Sequence, residues 1–307
     1  MSARLFRMLI VVVAGVVLAS SGRLSAQVCR TSKTASAQQI KDADNLLIKN
    51  TDTATISNAV SKHLPWGIPV TTGTTHEHFL FQKDYVIDYD DDLRVPIWEA
   101  HTIRAEDLRI KRTRTEAFRR DPRLNDTVAS VCEDYSHSGY DRGHMAPSGD
   151  FPQTLSSMLN SYTLSNMTPQ KGELNRGFWQ QFESLVRKWG QNYGQVWVIT
   201  GAIFDKNGDS KRDADADVDK VKGRVGIPTA YYKIIVRQPG PRRIQAIAAI
   251  MPQNDDDREN VEFDEYLASK LVSIDEIESV TGIDFFPQMP KRQQNVVEKS
   301  KRTSSWE

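Results

Sequence analysis

The spacing of apolar residues along this chain predicts both helices and strands, without a repeating unit. Residues 37–49 carry apolar side chains every three to four positions, and residues 54–64 do so more weakly, which is the pattern of helices. Runs typical of strands lie at residues 78–88, 93–102, 196–204, 230–236 and 244–251. Further helical spacing lies at residues 154–158, 176–189, 265–271 and 274–281. Because these elements do not alternate as βαβ units do, we predict an α+β fold.

The first 26 residues differ in composition from the rest of the chain. Arg4 and Arg7 precede an apolar run over residues 8–19, and residues 20–26 are mostly small or polar. The run is short of the roughly 20 residues that cross a membrane, so it predicts a cleaved signal peptide (residues 1–26) more than a membrane anchor. We therefore expect a secreted protein, extracellular or periplasmic, without stable membrane association after the signal is removed.

The remaining chain divides into three parts. Residues 27–63 form a polar arm with helical spacing, residues 64–290 carry the strands and the motifs described below, and residues 291–307 form a polar tail that we expect to be mobile. Cys29 and Cys132 are the two cysteines, and in an oxidising compartment two lone cysteines commonly pair. Two unrelated thiols are the alternative.

Charge is balanced over the 307 residues, with 40 lysines and arginines against 40 aspartates and glutamates. The chain as a whole therefore exerts no net field on a polyanion, and attraction to phosphate must come from a local patch. Residues 104–123 hold eight basic and four acidic side chains. They either line a groove for a nucleic-acid backbone or form a solvated face.

The sequence DRGHMAPSGD at residues 141–150 places a histidine in a loop-like stretch rich in glycine and proline. His144 is not on an apolar stripe, which favours a catalytic over a structural role. A neutral imidazole can take a proton from a water molecule that attacks phosphorus, so His144 is the candidate general base. Arg142 is a candidate phosphate contact, because a guanidinium matches phosphoryl oxygens. Asp141 is expected to fix the loop or the imidazole.

A second motif, ELNRGFWQQFE at residues 173–183, supplies oxygen donors. Asn175 is the candidate ligand of Mg²⁺ or Mn²⁺, since a hard ion that keeps most of its waters needs few protein oxygens. We place Asn175 at a helix start, where a purely local capping role is compatible with metal binding. Glu183 lies about two turns further along the same predicted helix face, where a solvated position is the alternative.

These two segments, with LSNMTPQ at residues 164–170 between them, resemble the DNA/RNA non-specific endonuclease family, an endonuclease-G-like group. The similarity runs from about Trp66 to about Pro290. It implies a ββα-metal (His-Me finger) core on a mainly antiparallel central sheet flanked by helices. It also implies a metal-dependent endonuclease that hydrolyses DNA and RNA with little sequence specificity and leaves 5′-phosphate and 3′-hydroxyl ends. A homodimer is a further expectation from the resemblance.

The resemblance also implies roles for individual residues. Asn175 matches an asparagine that binds the ion directly, and Glu183 matches a glutamate that holds metal-bound waters. Arg94 matches an arginine on the strand before the motif, which implies a phosphate contact. Asn166 matches an asparagine near the metal, where it would orient the site.

Residues 205–213 suggest a second, calcium-binding site. Oxygen-bearing side chains alternate in DKNGDSKRD at a spacing that can wrap Ca²⁺, and the position of Lys211 would provide a backbone carbonyl. The candidate ligands are Asp205, Asn207, Asp209, Lys211 and Asp213. The loop resembles the calcium loop in the nuclease-like domain of ectonucleotide pyrophosphatases but lacks the glutamate of an EF-hand. An acidic turn without an ion is an equal alternative.

Two other functions compete with an active nuclease. Residues 199–236 look like the catalytically inactive nuclease-like domain of ectonucleotide pyrophosphatases, which predicts an interaction module. A phosphodiesterase specific for small nucleotides is the other alternative. We favour the active nuclease because His144, Asn175 and Glu183 are all present, and an inactive copy needs none of them.

Overall fold

The computed structural model describes residues 28–31, 34–49, 52–72, 77–241, 243–255 and 261–306. The predicted signal peptide lies outside these residues. The helices are α1 Ala37–Lys49, α2 Thr53–His63, α3 Ala105–Leu108, α4 Cys132–Tyr135, α5 Leu155–Asn160, α6 Gly172–Asn175, α7 Phe178–Tyr193, α8 Phe263–Lys270, α9 Ile274–Thr281 and α10 Lys291–Glu298. The strands are β1 Val70–Thr71, β2 Glu77–Phe81, β3 Tyr85–Asp90, β4 Val95–Arg104, β5 Asp141–His144, β6 Met167–Gln170, β7 Gln195–Ile203, β8 Lys220–Val221, β9 Val225–Gly226, β10 Ala230–Gly240, β11 Arg243–Pro252, β12 Leu271–Val272 and β13 Ile283–Asp284.

A seven-stranded sheet in the order β12-β11-β10-β7-β4-β3-β2 forms the centre, and every neighbouring pair is antiparallel. Its inner strands are apolar along most of their length because helices cover both faces. Ile103 of β4 packs under Gly190 of α7, whereas the neighbouring Thr102, on the opposite face, contacts His63 of α2 at 3.1 Å. The predicted α+β fold with a mainly antiparallel central sheet is confirmed.

The motif segments form a separate small unit against this sheet. β5, which contains the DRGH sequence, pairs antiparallel with β6, and α6 and α7 follow directly. Helix α7 buries Trp179, Phe182, Val186 and Trp189 as one stripe, so its opposite face is free to line a cleft. This hairpin followed by a helix is the ββα arrangement that the resemblance implied.

One predicted strand is in fact two. Residues 78–88 were predicted as a single strand, but a tight turn at residues 82–84 separates β2 from β3, closed by the Gln82 amide donating to the Tyr85 carbonyl at 3.2 Å. His63 of α2 contacts the carbonyl of Lys83 at 3.0 Å and holds the turn from outside. The sequence prediction joined the two strands because the contact that stabilises the turn comes from a distant part of the chain.

The C-terminal tail is ordered through residue 306, so the expectation of a mobile tail is wrong for these residues. Residues 291–298 form α10, and Trp306 is only 3% exposed. The Trp306 ring packs edge-on against Trp189 at 5.1 Å, and the Trp306 carbonyl accepts a hydrogen bond from Trp189 Nε1 at 3.0 Å. One buried tryptophan removes a large apolar area from water, which suffices to anchor an otherwise polar segment.

The N-terminal arm is also packed onto the domain. Cys29 and Cys132 form a disulfide with a Cα–Cα distance of 5.3 Å, as the cysteine count predicted. Asp44 of α1 accepts a hydrogen bond from the buried Arg119 at 2.7 Å. Within the described part of the chain, no helix is both long and apolar enough to span a bilayer.

Candidate active site

A cleft of about 1060 Å³ opens between the DRGH hairpin, α7 and the arginine-rich segment. Five of the residues predicted from sequence line this one cavity although they come from three different elements. They are Asp141, Arg142, His144, Asn175 and Glu183. The fold therefore brings together the base, the metal ligands and one phosphate contact that were predicted separately.

His144 stands at the end of β5, where pairing with Met167 fixes its backbone. Its ring packs perpendicular to Tyr162 at 4.8 Å and tilted against Phe118 at 5.6 Å. Burial, with a smaller effect of the Arg114 charge, lowers the pKa of His144 to about 3. Its Nε2 is buried and has no hydrogen-bond partner among the described residues. The imidazole is therefore neutral at neutral pH, the form that can accept a proton.

Asp141 orients Asn175. The Asp141 carboxylate accepts two hydrogen bonds from Arg176, both at 2.7 Å, and one from Asn175 Nδ2 at 2.9 Å. Because the amide nitrogen of Asn175 is engaged, its amide oxygen is left for a ligand in the cleft. The Arg176 bonds also hold the pKa of Asp141 below its usual range. The supporting role expected for Asp141 is therefore exerted on Asn175 and not on the imidazole.

The helical placement of Asn175 was predicted wrongly. Asn175 ends the one-turn helix α6, and the residue that caps α7 is Gly177. Asn175 and Glu183 therefore lie on different helices and meet at the cleft because the chain turns at Arg176. Gly177 permits the turn: a Cβ there would lie 2.3 Å from the Glu173 carbonyl oxygen.

Glu183 lines the cleft with a carboxylate that accepts no hydrogen bond from a described residue. Burial raises its pKa to about 7, and the nearby Lys233 and Arg187 charges oppose that rise. A hard divalent ion prefers oxygen donors and tolerates water as most of its ligands. The free amide oxygen of Asn175 and the unsatisfied carboxylate of Glu183 fit such an ion.

The cationic wall of the cleft differs from the prediction. Arg142 lines it, with its guanidinium 5.2 Å from the Phe118 ring. Arg94 does not line it: this residue lies in the turn before β4 with φ of 56°, and its Nη1 donates to the Ala129 carbonyl at 3.3 Å. The phosphate role expected for Arg94 is therefore not supported, because the turn directs the residue to another part of the surface.

Arg114 belongs to the stretch that was predicted to line either a groove or a solvated face, and it lines the cleft, as does Arg187, which the sequence did not single out. Arg114 lay within the basic patch, where nothing distinguished it from its neighbours. Arg187 follows Glu183 by four residues, which places both on one helix face, so its position could have been inferred. The remaining cationic residues of the cavity are Lys111, Arg112 and Arg176.

Asn166 lies behind the cleft. It is fully buried, its amide oxygen accepts from the Ala146 amide at 2.9 Å, and its Nδ2 donates to the carbonyls of Ala146 and Ser161. These bonds hold the backbone two residues after His144. The predicted orienting role fits this geometry, and since every polar atom of the side chain is engaged, none is left to bind an ion directly.

The acidic loop at residues 205–213 uses its own oxygens. The carboxylates and the amide of Asp205, Asn207, Asp209 and Asp213 accept hydrogen bonds from backbone amides at residues 206 and 208–211, at 2.6–3.1 Å. Among the described residues, three carboxylates or imidazoles converge only at Asp275, Glu278 and Glu298. The hydrogen bonds within the loop stabilise the turn itself, and the calcium site, with its Lys211 carbonyl, stays a prediction.

A hairpin and helix that enclose one neutral histidine, free oxygen donors and a cationic wall define the ββα-metal class of nucleases. The model of the family "DNA/RNA non-specific endonuclease" matches residues 65–292, and the chain belongs to this family of enzymes. The resemblance inferred from the motifs is confirmed.

Individual relatives agree. Nuclease C1 of Cunninghamella echinulata var. echinulata is 32% identical over 222 residues, which cover 70% of this chain and 85% of that protein. The mitochondrial nuclease EXOG of Danio rerio is 32% identical over 217 residues, 69% of this chain and 62% of that protein, so this chain spans less than two thirds of that relative. A solved structure of the EndoG/EndoGI complex, which concerns EndoG inhibition, matches with a TM-score of 0.63 and 27% identity, covering 76% of this chain and 94% of that chain.

Proposed function

We propose that this protein hydrolyses phosphodiester bonds of DNA and RNA with the help of one divalent metal ion and with little sequence preference. The observation that carries the proposal is the content of a single cleft: a neutral imidazole, two free oxygen donors and several guanidinium groups. A base, a metal site and phosphate contacts are the groups that phosphodiester hydrolysis requires.

His144 is proposed as the general base. A water molecule in the cleft transfers a proton to the neutral imidazole as its oxygen attacks phosphorus. Packing against Tyr162 and Phe118 fixes the ring, and the Asn166 bonds to Ala146 fix the backbone that follows it. The ring and the backbone that follows it are therefore held in place before the reaction.

Asn175 would hold Mg²⁺ or Mn²⁺ through its amide oxygen, and Glu183 would accept hydrogen bonds from the waters of the ion. Such an ion, when bound, supplies positive charge that stabilises the phosphoryl group and the departing oxygen. Asp141 keeps the Asn175 amide oriented through the 2.9 Å bond to its nitrogen. The raised pKa of Glu183 is consistent with a half-buried carboxylate that accepts no hydrogen bond from the described protein.

The guanidinium groups of Arg114, Arg142 and Arg187 would contact the phosphoryl oxygens and stabilise the charge that develops on them. Contacts of this kind bind the phosphate backbone and confer no specificity for base sequence. Water as nucleophile leaves the 2′-hydroxyl unused, so DNA and RNA are both substrates, and the expected products carry 5′-phosphate and 3′-hydroxyl ends.

We also propose that the protein is exported. The support is the predicted signal peptide at residues 1–26 together with the Cys29–Cys132 disulfide, because disulfides persist in oxidising compartments. A homodimer stays a prediction, which sedimentation of the purified protein tests.

The deciding experiment is digestion of supercoiled plasmid DNA and of ribosomal RNA by the mature protein, with Mg²⁺ and with EDTA. We expect cleavage of both polymers with Mg²⁺ and none with EDTA. Inactivity toward both would favour the interaction module, and cleavage of dinucleotides alone would favour a small-nucleotide phosphodiesterase. RNA products that end in a cyclic phosphate would exclude water as the nucleophile.

A further inference from the structure

A layer of charged side chains lies buried between the central sheet and α7, directly behind the cleft. Glu99 and His101 are two residues apart on β4 and so face the same side of the sheet. Lys233 of β10 lies in register with Glu99 through Thr200 of β7, whose hydroxyl accepts a hydrogen bond from Lys233 Nζ at 2.7 Å. The three charged side chains are at most 1% exposed.

His101 joins two carboxylates. Its Nδ1 lies 2.9 Å from a Glu99 oxygen, and its Nε2 lies 3.0 Å from Asp150 Oδ2. A carboxylate accepts hydrogen bonds, so an imidazole between two of them donates from both nitrogens and carries a positive charge. Burial opposes that charge, but Glu99 and Asp150 outweigh it and raise the pKa of His101 to about 9, in agreement with this geometry.

Asp150 links His101 to an arginine of the cleft. It lies six residues after His144, and its second oxygen, Oδ1, accepts a hydrogen bond from Arg187 Nη1 at 2.8 Å. Arg187 also donates to Ser184 Oγ at 3.0 Å and packs over Gly149, where a Cβ would lie 3.3 Å from Nη1. The Arg187 side chain, 24% exposed, is where the buried chain of bonds reaches the cavity.

Ionisable groups are linked along this path from Glu99 through His101 and Asp150 to Arg187, and burial raises the pKa of Glu99 at its inner end. Removing one member leaves its neighbour with an unpaired buried charge, which is strongly unfavourable. Without His101, Oδ2 of Asp150 would lose its imidazole donor, and the Arg187 guanidinium, which already donates to Oδ1, would shift toward it. Arg187 would then turn away from the cavity.

We propose that His101 is a positioning residue that acts through Asp150 to fix the Arg187 guanidinium in the wall of the cleft, beside Glu183. This inference rests on the proposed nuclease function. It assigns the Glu99–His101 pair, which no substrate can reach, an effect on the reaction and not only on stability.

A double-mutant cycle between His101 and Arg187, with kcat and KM measured on a plasmid substrate, tests the proposal. His101→Gln removes the positive charge and cannot bridge both carboxylates, so it weakens the charge-assisted bond to Asp150 Oδ2. We expect it to lower kcat about 10-fold, because small misplacement of a positioning group is costly, and to change KM by less than about 2-fold. In the Arg187→Ala background the same change should alter kcat by less than about 2-fold, because residues that act through one another are not additive.

His63→Gln is the matched control. His63 is 1% exposed, sits on the opposite face of the sheet, and contacts Thr102 and the Lys83 carbonyl, with no contact to the cleft. It should lower the melting temperature as His101→Gln does and leave kcat within about 2-fold in both backgrounds. A loss of stability alone therefore would not reproduce the expected pattern.

An equal loss of kcat from His101→Gln in the wild-type and Arg187→Ala backgrounds would overturn the proposal, as would an unchanged kcat in the wild-type background. If His101→Gln does not fold, Glu99→Gln replaces it, since the amide oxygen of the new side chain can still accept from His101. We expect Glu99→Gln to lower kcat less than His101→Gln does. This loss should also be absent in the Arg187→Ala background. Wild-type cleavage is measured first. An inactive wild type contradicts the proposed function, whereas an active wild type with additive variants contradicts only the role of His101.

Discussion

The cleft and the acidic loop at residues 205–213 both carry oxygen-rich side chains, but they differ in how many of those oxygens accept hydrogen bonds from the described protein. Asn175 uses its nitrogen on Asp141, which leaves its oxygen available, and Glu183 accepts no hydrogen bond from a described residue. The side chains of Asp205, Asn207 and Asp209 instead accept hydrogen bonds from backbone amides of their own turn.

The difference shows that the number of oxygen-bearing residues does not define a metal site. A side chain in an exposed turn satisfies the nearest amide, because a local hydrogen bond costs little chain entropy. A side chain in the cleft is held by distant elements that leave it no such donor. We therefore expect a metal ion to bind where the fold leaves side-chain oxygens without a nearby hydrogen-bond donor.

The largest expected effect concerns the base in the cleft. His144→Ala should lower cleavage by about 10²–10⁴-fold, because it removes the proton acceptor. Metal binding should be nearly unchanged, since the imidazole is not among the proposed ligands, and circular dichroism should confirm the fold. More than half of the wild-type rate in this variant would show that another group is the base.

The next effect concerns the metal ligand. Asn175→Ala should raise the Mg²⁺ concentration for half-maximal rate by about 10-fold or more, because it removes the proposed direct ligand. Asp141→Asn should cause a smaller rise, since it weakens only the orientation of the Asn175 amide. A Mg²⁺ titration of both variants measures this. Wild-type dependence for Asn175→Ala would place the ion elsewhere.

A third prediction compares an arginine inside the cleft with an arginine outside it. Arg114→Ala should lower kcat about 10-fold, because one charge-assisted contact to the developing phosphoryl charge is lost. Arg94→Ala should leave kcat within about 2-fold, since Arg94 bonds the Ala129 carbonyl outside the cavity. The kcat of both variants is measured at low salt. A larger loss for Arg94→Ala than for Arg114→Ala would show that Arg94 contacts the substrate.

The smallest effect concerns the acidic loop. We expect the same melting temperature in Ca²⁺ and in EDTA, because several of the loop oxygens accept hydrogen bonds from amides of their own turn. Asn175→Ala serves as the background for this measurement, so that Ca²⁺ in the cleft does not contribute. A rise of several degrees in Ca²⁺ that Asp209→Ala abolishes would show that the loop binds calcium after all.

Local pattern predicted the elements whose stability depends on their own periodicity. The α1 helix over residues 37–49 and the buried strands β7, β10 and β11 follow from apolar spacing alone. The DRGH, LSNMTPQ and ELNRGFWQQFE segments predicted the family, and the first and third supply Asp141, Arg142, His144, Asn175 and Glu183 of the cleft. The boundary between β2 and β3 did not follow, because the contact between His63 and the Lys83 carbonyl joins residues that are 20 apart in sequence.

The sequence by itself determined the α+β class and the family, and it predicted the candidate base and the candidate metal ligands. Tertiary structure alone decided which arginines reach the cleft, that Asn175 and Glu183 stand on separate helices, and that Trp306 anchors the tail against Trp189. The physical reason is the range of the interactions. Apolar periodicity is set between neighbours, whereas a long charged side chain takes its direction from whichever carboxylate, carbonyl or ring the folded chain places beside it.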